Sequence, residues 1–292
     1  MKILVITKKT LYIIAAAMTG VIAAVIVIAV LAGGKAEARP TSVLPKPTAL
    51  AYIGDDNTPK GKLLSSDEGY EVEVLAAFKR ELPIYSVDRV DGLIALTIDA
   101  AWDDDKTPFI LETLARYNVK ATFFLCGFWA EAYPEQVKAI SEAGHSIGNH
   151  TMTHPHMTKI SEKDMIEEIE KLDDLLERIT GKRSTLFRAP YGEYNDKVIM
   201  TVRASGHEPI QWDVDTIDWK PERSSQTILD SVLPKLKNGS IVLCHNNGYK
   251  IEEYLPVLIE TAMANGFRFV TVDELLLQGE TIIDVNGVQK AK

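Results

Sequence analysis

His150-Thr-Met-Thr-His154 places two histidines four residues apart, a spacing that can aim both imidazoles at one ion. A helical turn or a tight loop would serve, and Pro155 disfavours a helix running on past the pair. Neutral imidazole suits zinc, cobalt, nickel or iron. Asp99 ends the apolar run Leu93–Ile98 and can act as a metal ligand or as the base that deprotonates a water. Its other natural role, capping the next helix, is better filled by Asp103, Asp104 or Asp105, which lie closer to that helix. Arg188 precedes Pro190-Tyr191-Gly192, which reads as a turn. A guanidinium there can grip a carboxylate through two hydrogen bonds, and the turn can offer a backbone N–H to an oxyanion. Asp213, Asp215 and Asp218 crowd beside Trp212 and Trp219, a pattern that suits stacking on sugar faces, with Trp212 itself reading as core. His245 follows Ile241–Cys244 and, paired with an acid such as Asp218, can serve as a general acid.

Each group sits at the end of an apolar run that reads as a strand. Strands are expected at Leu93–Ile98, Val119–Leu125, His145–Asn149, Thr185–Phe187, Glu208–Asp213, Ser240–Leu243 and Phe267–Thr271. Helices are expected at Thr107–Tyr117, Pro134–Ala143, Ser161–Ile179, Asp196–Ala204, Ser225–Leu236, Glu252–Ala264 and Val272–Leu277. Ser161-Glu-Lys-Asp164 is close to a capping box. Ile169, Leu172, Leu175, Leu176 and Ile179 form a core stripe, and the acids between them, Glu167, Glu168, Glu170, Asp173 and Asp174, read as a solvated face. Strict alternation implies parallel strands with right-handed crossovers. Chemistry at strand ends all round the domain favours a barrel over an open sheet, which gathers its site at one switch point. No glycine-rich phosphate loop follows the first strand, which counts against a nucleotide enzyme.

The formal charge of −9 argues against a nucleic-acid partner. Leu11–Leu31 is almost unbroken apolar sequence, long enough to cross a bilayer as a helix, and Lys2, Lys8 and Lys9 before it favour a cytoplasmic N-terminus. Cleavage near Ala36-Glu37-Ala38 is the alternative, and either outcome exports the rest of the chain. The expected organisation is a cytoplasmic N-terminus at 1–10, a membrane anchor at 11–31, a linker at 32–85, a catalytic domain at 86–280 and a tail at 281–292. Within the linker, Glu71–Leu82 has the pattern of a short amphipathic helix. Cys126 and Cys244 both lie in apolar runs, which favours buried thiols over a bridge.

Taken in this order, Thr97-Ile-Asp99, His150-Thr-Met-Thr-His154, Arg188-Ala-Pro-Tyr191, Asp215-Thr-Ile-Asp218-Trp219 and Leu243-Cys-His245 resemble the polysaccharide deacetylase family, carbohydrate esterase family 4 or NodB-homology domain. The resemblance spans about Leu93 to Leu277. It implies an α/β fold, a distorted (β/α)7 barrel, here preceded by one transmembrane helix. It also implies a hydrolase that removes acetyl groups from N- or O-acetylated sugars with a divalent metal, zinc first, cobalt or nickel next. In that family's pattern Asp99 is the base and His150 and His154 are metal ligands. Arg188 orients Asp99, and the backbone N–H of Tyr191 helps bind the oxyanion. Asp218 tunes His245, the general acid, while Trp219 and Leu243 wall the acetyl pocket. The family's first motif carries a second aspartate as third metal ligand where this chain has Ala100. Water, or one of Asp103, Asp104 and Asp105, is left to fill that gap. The Asp-Ala-Ala-Trp form resembles a branch associated with sporulation and the wall of spore-forming bacteria. The implied partner is an N-acetylated cell-wall polysaccharide, acted on by a membrane-anchored monomer at the outer face of the cell. An O-acetyl esterase and a decayed glycan-binding module are the rival expectations.

Overall fold

The computed structural model describes residues 80–292. The expected anchor at 11–31 and most of the 32–85 linker lie outside the described residues, as does Glu71–Leu82 up to residue 79. Among the described residues, no helix is long and apolar enough to cross a membrane.

The central strand is β2, Leu93–Ala100, after a short β1 at Ser86–Val87. Then follow α1 Thr107–Arg116, β3 Thr122–Leu125, α2 Gly127–Ala132, α3 Pro134–Glu142, β4 Ser146–Asn149 and α4 Glu162–Thr180. β5 Leu186–Phe187, α5 Asp196–Ala204, β6 Glu208–Pro209, β7 Val214–Asp215 and α6 Ser225–Val232 come next. β8 Ile241–His245, α7 Ile251–Ala264, β9 Arg268–Val270 and α8 Val272–Leu275 complete the alternation. The strands pair in the order β6-β5-β4-β3-β2-β8-β7, with β9 also on β2, and every pairing is parallel. The sheet curls in the manner of a (β/α) barrel. Segment 208–215 pairs with β5 at its start and with β8 at its end, so one chain segment touches both edges of the curl.

β2 is buried on both faces, as a central parallel strand must be. Its even residues Leu96, Ile98 and Ala100 pack with Ile110, Leu114, Leu258 and Ile259 of the helical layer. Its odd residues turn the other way: Ala95 joins Phe124, Leu186, Ile210 and Ile241. This period-two rule sends Asp99 inward and Ala100 outward.

Three readings are corrected. Of the expected strand Glu208–Asp213 only Glu208–Pro209 is strand, and β7 begins just past its end, because Pro209 cannot donate to a ladder and Ile84 inserts there, its N–H reaching the Pro209 carbonyl at 2.9 Å. Helix Ser225–Leu236 stops at Val232, with a 3₁₀ turn at Leu233–Lys235 built on Pro234. The expected tail 281–292 is instead a hairpin, β10 Thr281–Ile283 and β11 Val288–Ala291, that pairs in parallel with β1. Helix α2 was absent from the sequence reading, being a single short segment without a periodic stripe. Ser161 does form a capping box with Asp164. Cys126 and Cys244 are free and buried.

Candidate active site

Asp99 and His245 are direct cross-strand partners on β2 and β8. Both therefore reach the same rim of the curl, at the C-terminal ends of parallel strands. Arg188 lies just beyond β5, and its side chain is fully buried inside. Its Nη1 donates to Asp99 Oδ1 at 2.6 Å and to Thr97 Oγ1 at 2.8 Å, and its Nη2 donates to the Gln211 carbonyl at 3.0 Å. Its guanidinium carbon sits 4.1 Å above the Phe124 ring. Burial by itself would raise the Asp99 pKa. The positive charge of Arg188, with His150 and His245, outweighs it and holds the carboxyl below the usual range.

His245 presents Nδ1 to Asp218 Oδ1 at 2.7 Å. Asp218 is wholly buried, and its Oδ2 accepts from the His245 backbone N–H at 3.0 Å and from the Tyr254 hydroxyl at 2.6 Å. Burial pulls the His245 pKa down. The hydrogen bond and charge of Asp218, then Asp99 and Asp215, win and raise it above its ordinary value. The pair is thus biased toward an ionised acid facing a protonated imidazole, the arrangement a base and an acid need before turnover.

His150 and His154 follow β4. The His150 Nδ1 lies 2.7 Å from the Arg188 carbonyl, which only accepts, so Nδ1 carries the proton. Nε2 is left with its lone pair, 3.8 Å from Asp99 Oδ2. The His154 ring meets that of His150 edge-on at 5.0 Å between centroids, and its Nδ1 is buried without a hydrogen-bond partner. Burial, then the neighbouring His150, pushes the His154 pKa down to about 4, and burial lowers that of His150 as well, which favours the neutral imidazole in each. A fixed tautomer and an orphaned buried nitrogen fit a pair of metal-binding imidazoles. The pair is short of a third protein donor. Ala100 turns into the apolar layer, Asp103 and Asp105 are exposed and Asp104 is only partly buried. Among the described residues no group of three or more His, Cys, Asp or Glu is arranged to hold a metal ion.

Around these groups lies a cleft of about 430 Å³ lined by Tyr191, Trp219, Leu243, Trp102 and Trp212 besides the polar residues. Tyr191 occupies a left-handed conformation at φ 60° and is exposed, its ring stacked on His156 at 4.3 Å. Trp219 is also exposed and Leu243 is buried in the wall. All nine expected site residues thus fall in or directly behind one cleft: Asp99, His150, His154, Arg188, Tyr191, Asp218, Trp219, Leu243 and His245. Asp215 also lines it. Asp213 does not: its carboxylate accepts from Ile241 N at 2.9 Å and Ser240 Oγ at 3.1 Å, pinning the start of β8.

Sequence reading missed four supports. Thr97 and the Gln211 carbonyl hold Arg188, and neither residue type signals that role alone. Trp102, half exposed, packs edge-on against His154 at 4.9 Å between ring centroids. Tyr254 lies in the apolar stripe of α7, so the sequence offers it only as core. Tyr254→Phe leaves a buried carboxylate oxygen one donor short and should cost about 1–3 kcal/mol in urea unfolding. A stability equal to the parent would show that the bond is not formed.

The polysaccharide deacetylase family profile matches residues 86–210. The chain is 38% identical over 186 residues to a peptidoglycan-N-acetylglucosamine deacetylase of Bacillus cereus, covering 62% of this chain and 67% of that one. The chain spans 38% to 67% of the length of the first curated relatives it matches. Among solved structures, the Bc1960 peptidoglycan N-acetylglucosamine deacetylase has 36% identity and a TM-score of 0.63, covering 66% of this chain and 91% of its own. A carbohydrate esterase family 4 pseudoenzyme from Bacillus anthracis has 33% identity and a TM-score of 0.64, covering 66% and 68%. The opposed acid and base, the histidine pair and these likenesses agree: the chain belongs to the polysaccharide deacetylase family, carbohydrate esterase family 4.

Proposed function

We propose that this chain removes N-acetyl groups from cell-wall glycan, peptidoglycan first, on a distorted (β/α)7 barrel. The observation that carries the reading is the cross-strand pair of Asp99 and His245, one hydrogen-bonded by Arg188, the other by Asp218. A site that only binds sugar has no need of such a pair. Relatives named as peptidoglycan deacetylases support the choice of polymer.

In this reading the acetamide enters between Trp219 and Leu243, methyl first. Asp99 takes the proton of the attacking water through the oxygen not engaged by Arg188. The Tyr191 backbone N–H binds the oxyanion that develops on the carbonyl. His245 then gives its Nε2 proton to the departing amine, while Asp218 keeps Nδ1 protonated and the ring in place. His150 and His154 would hold a divalent ion, zinc first and cobalt or nickel next. Bound there, it supplies Lewis-acid polarisation and lowers the pKa of water. The apolar 11–31 segment supports a membrane-anchored enzyme acting outside the cytoplasm.

Ala100 favours a second reading, a glycan-binding module without turnover, and a related pseudoenzyme adds weight to it. Acetate release from peptidoglycan fragments and chitooligosaccharides separates the two. The domain is stripped with chelator, then supplied with zinc, cobalt or nickel. Release that returns with metal in the parent and is abolished in His150→Ala supports the deacetylase. Glycan binding without release under any metal supports the module.

A further inference from the structure

Helix α4 has an acid where its apolar stripe packs. Asp173 lies between Leu172 and Leu175 and is 3% exposed, so it does not belong to the solvated face that its neighbours suggested. Burying a carboxylate costs several kcal/mol unless it is well partnered. Its partners lead toward the cleft. Asp173 Oδ1 accepts from Asn149 Nδ2 at 2.9 Å, and Oδ2 lies 3.1 Å from His207 Nε2. Asn149 is fully buried, and the same Nδ2 donates to the Ile169 carbonyl of α4 at 2.9 Å. Its Oδ1 accepts from the Thr151 backbone N–H at 2.9 Å. Thr151 Oγ1 in turn accepts from the His154 backbone N–H at 3.0 Å.

Glu168, earlier on the same helix, is a second strut. Its two carboxylate oxygens accept from Thr153 N and Thr153 Oγ1, each at 2.7 Å, and its carbonyl accepts from Met152 N at 3.1 Å. The loop between them needs support. Thr151 and His154 both hold left-handed backbone, at φ 69° and 57°, a conformation that costs non-glycine residues about 1–2 kcal/mol each. Strain of this kind persists only where surrounding contacts over-determine it.

We infer that Asp173 and Glu168 of α4 are positioning residues that brace the strained loop 150–154 and so fix the relative aim of His150 and His154. This rests on reading those histidines as a metal pair. The two struts reach the loop at different points, Asp173 through Asn149 at its start and Glu168 directly at Thr153. Neither touches the cleft itself.

The test uses Asp173→Asn and Glu168→Gln, with Glu170→Gln as control, an exposed acid on the same helix. Amide hydrogen exchange reads the loop, and calorimetric titration with zinc reads the pair. The expected result is faster exchange at Thr151, Thr153 and His154, with unchanged exchange in β2 and β3. Zinc affinity should fall about tenfold, the scale seen when groups behind a metal ligand are lost. The control should match the parent in both. Unchanged exchange at the loop would overturn the brace, as would a uniform rise across the whole domain, the sign of a merely structural role. If the parent binds no zinc while the loop-confined exchange pattern holds, the brace stands and the metal reading of the function fails.

Discussion

Asp99→Asn should lower kcat/KM for acetate release by about a hundredfold or more, the scale of lost general base catalysis. Asparagine keeps the shape of the side chain and an oxygen for Arg188, so the fold should survive. The pH profile gives the finer check. Arg188 and the nearby histidines hold Asp99 below the ordinary carboxylate range, so the acid limb of the parent should lie below about 4. Asp218 raises His245, so the alkaline limb should lie above about 6.5. Asp99 is one of the charges that raise His245. The variant should therefore lose the acid limb and show an alkaline limb moved to lower pH. Parent-like rates would remove Asp99 from the mechanism. The same shifts bear on stability. The contribution of Asp99 is present above its unfolded pKa and is lost as pH falls through the folded one. That of His245 is present below about 6.5 and is lost as pH rises through its higher folded value.

Arg188→Met should destabilise the domain by about 3–5 kcal/mol, the cost of leaving a buried charge without its partner. Methionine fills part of the space, but Asp99 would keep its burial and lose the cation that holds it ionised. Thr97 Oγ1 and the Gln211 carbonyl would each lose a donor as well. Urea unfolding measures the loss, with an unchanged m-value as the sign that only stability moved. Arg188→Lys should recover part of it. One ammonium can face Asp99, but it lacks the planar fork that reaches Asp99 and Gln211 together. A Met variant as stable as the parent would mean that Asp99 is not charged in the folded protein.

The parts legible in sequence were those with local signals. Alternating apolar runs located the strands, and Ser161 marked the start of α4 through its capping box. The site clusters were legible because strand ends concentrate functional groups and each cluster follows an apolar run. What escaped depended on tertiary placement. Asp173 and Glu167 look alike in sequence, yet one is buried behind the histidine loop and the other is exposed. The break between β6 and β7 depends on Ile84, distant in sequence, inserting beside Pro209. Ala100 was visible as a departure, but its outward aim follows only once β2 is seen to run through it.

The pairing of β2 between β3 and β8 also dictates when the site can exist. β2 is the first long strand of the described domain to be synthesised, while β8 is among the last. Until β8 arrives, Asp99 sits on a strand with one long edge unpaired and without its cross-strand partner His245. A nascent chain halted before Ile241 would carry base, arginine and histidine loop, and still lack an acid. Such a parallel pairing closes a long loop, which makes it slow to form. The exposed β2 edge is in the meantime the natural place for a chaperone to bind or for two unfinished chains to adhere.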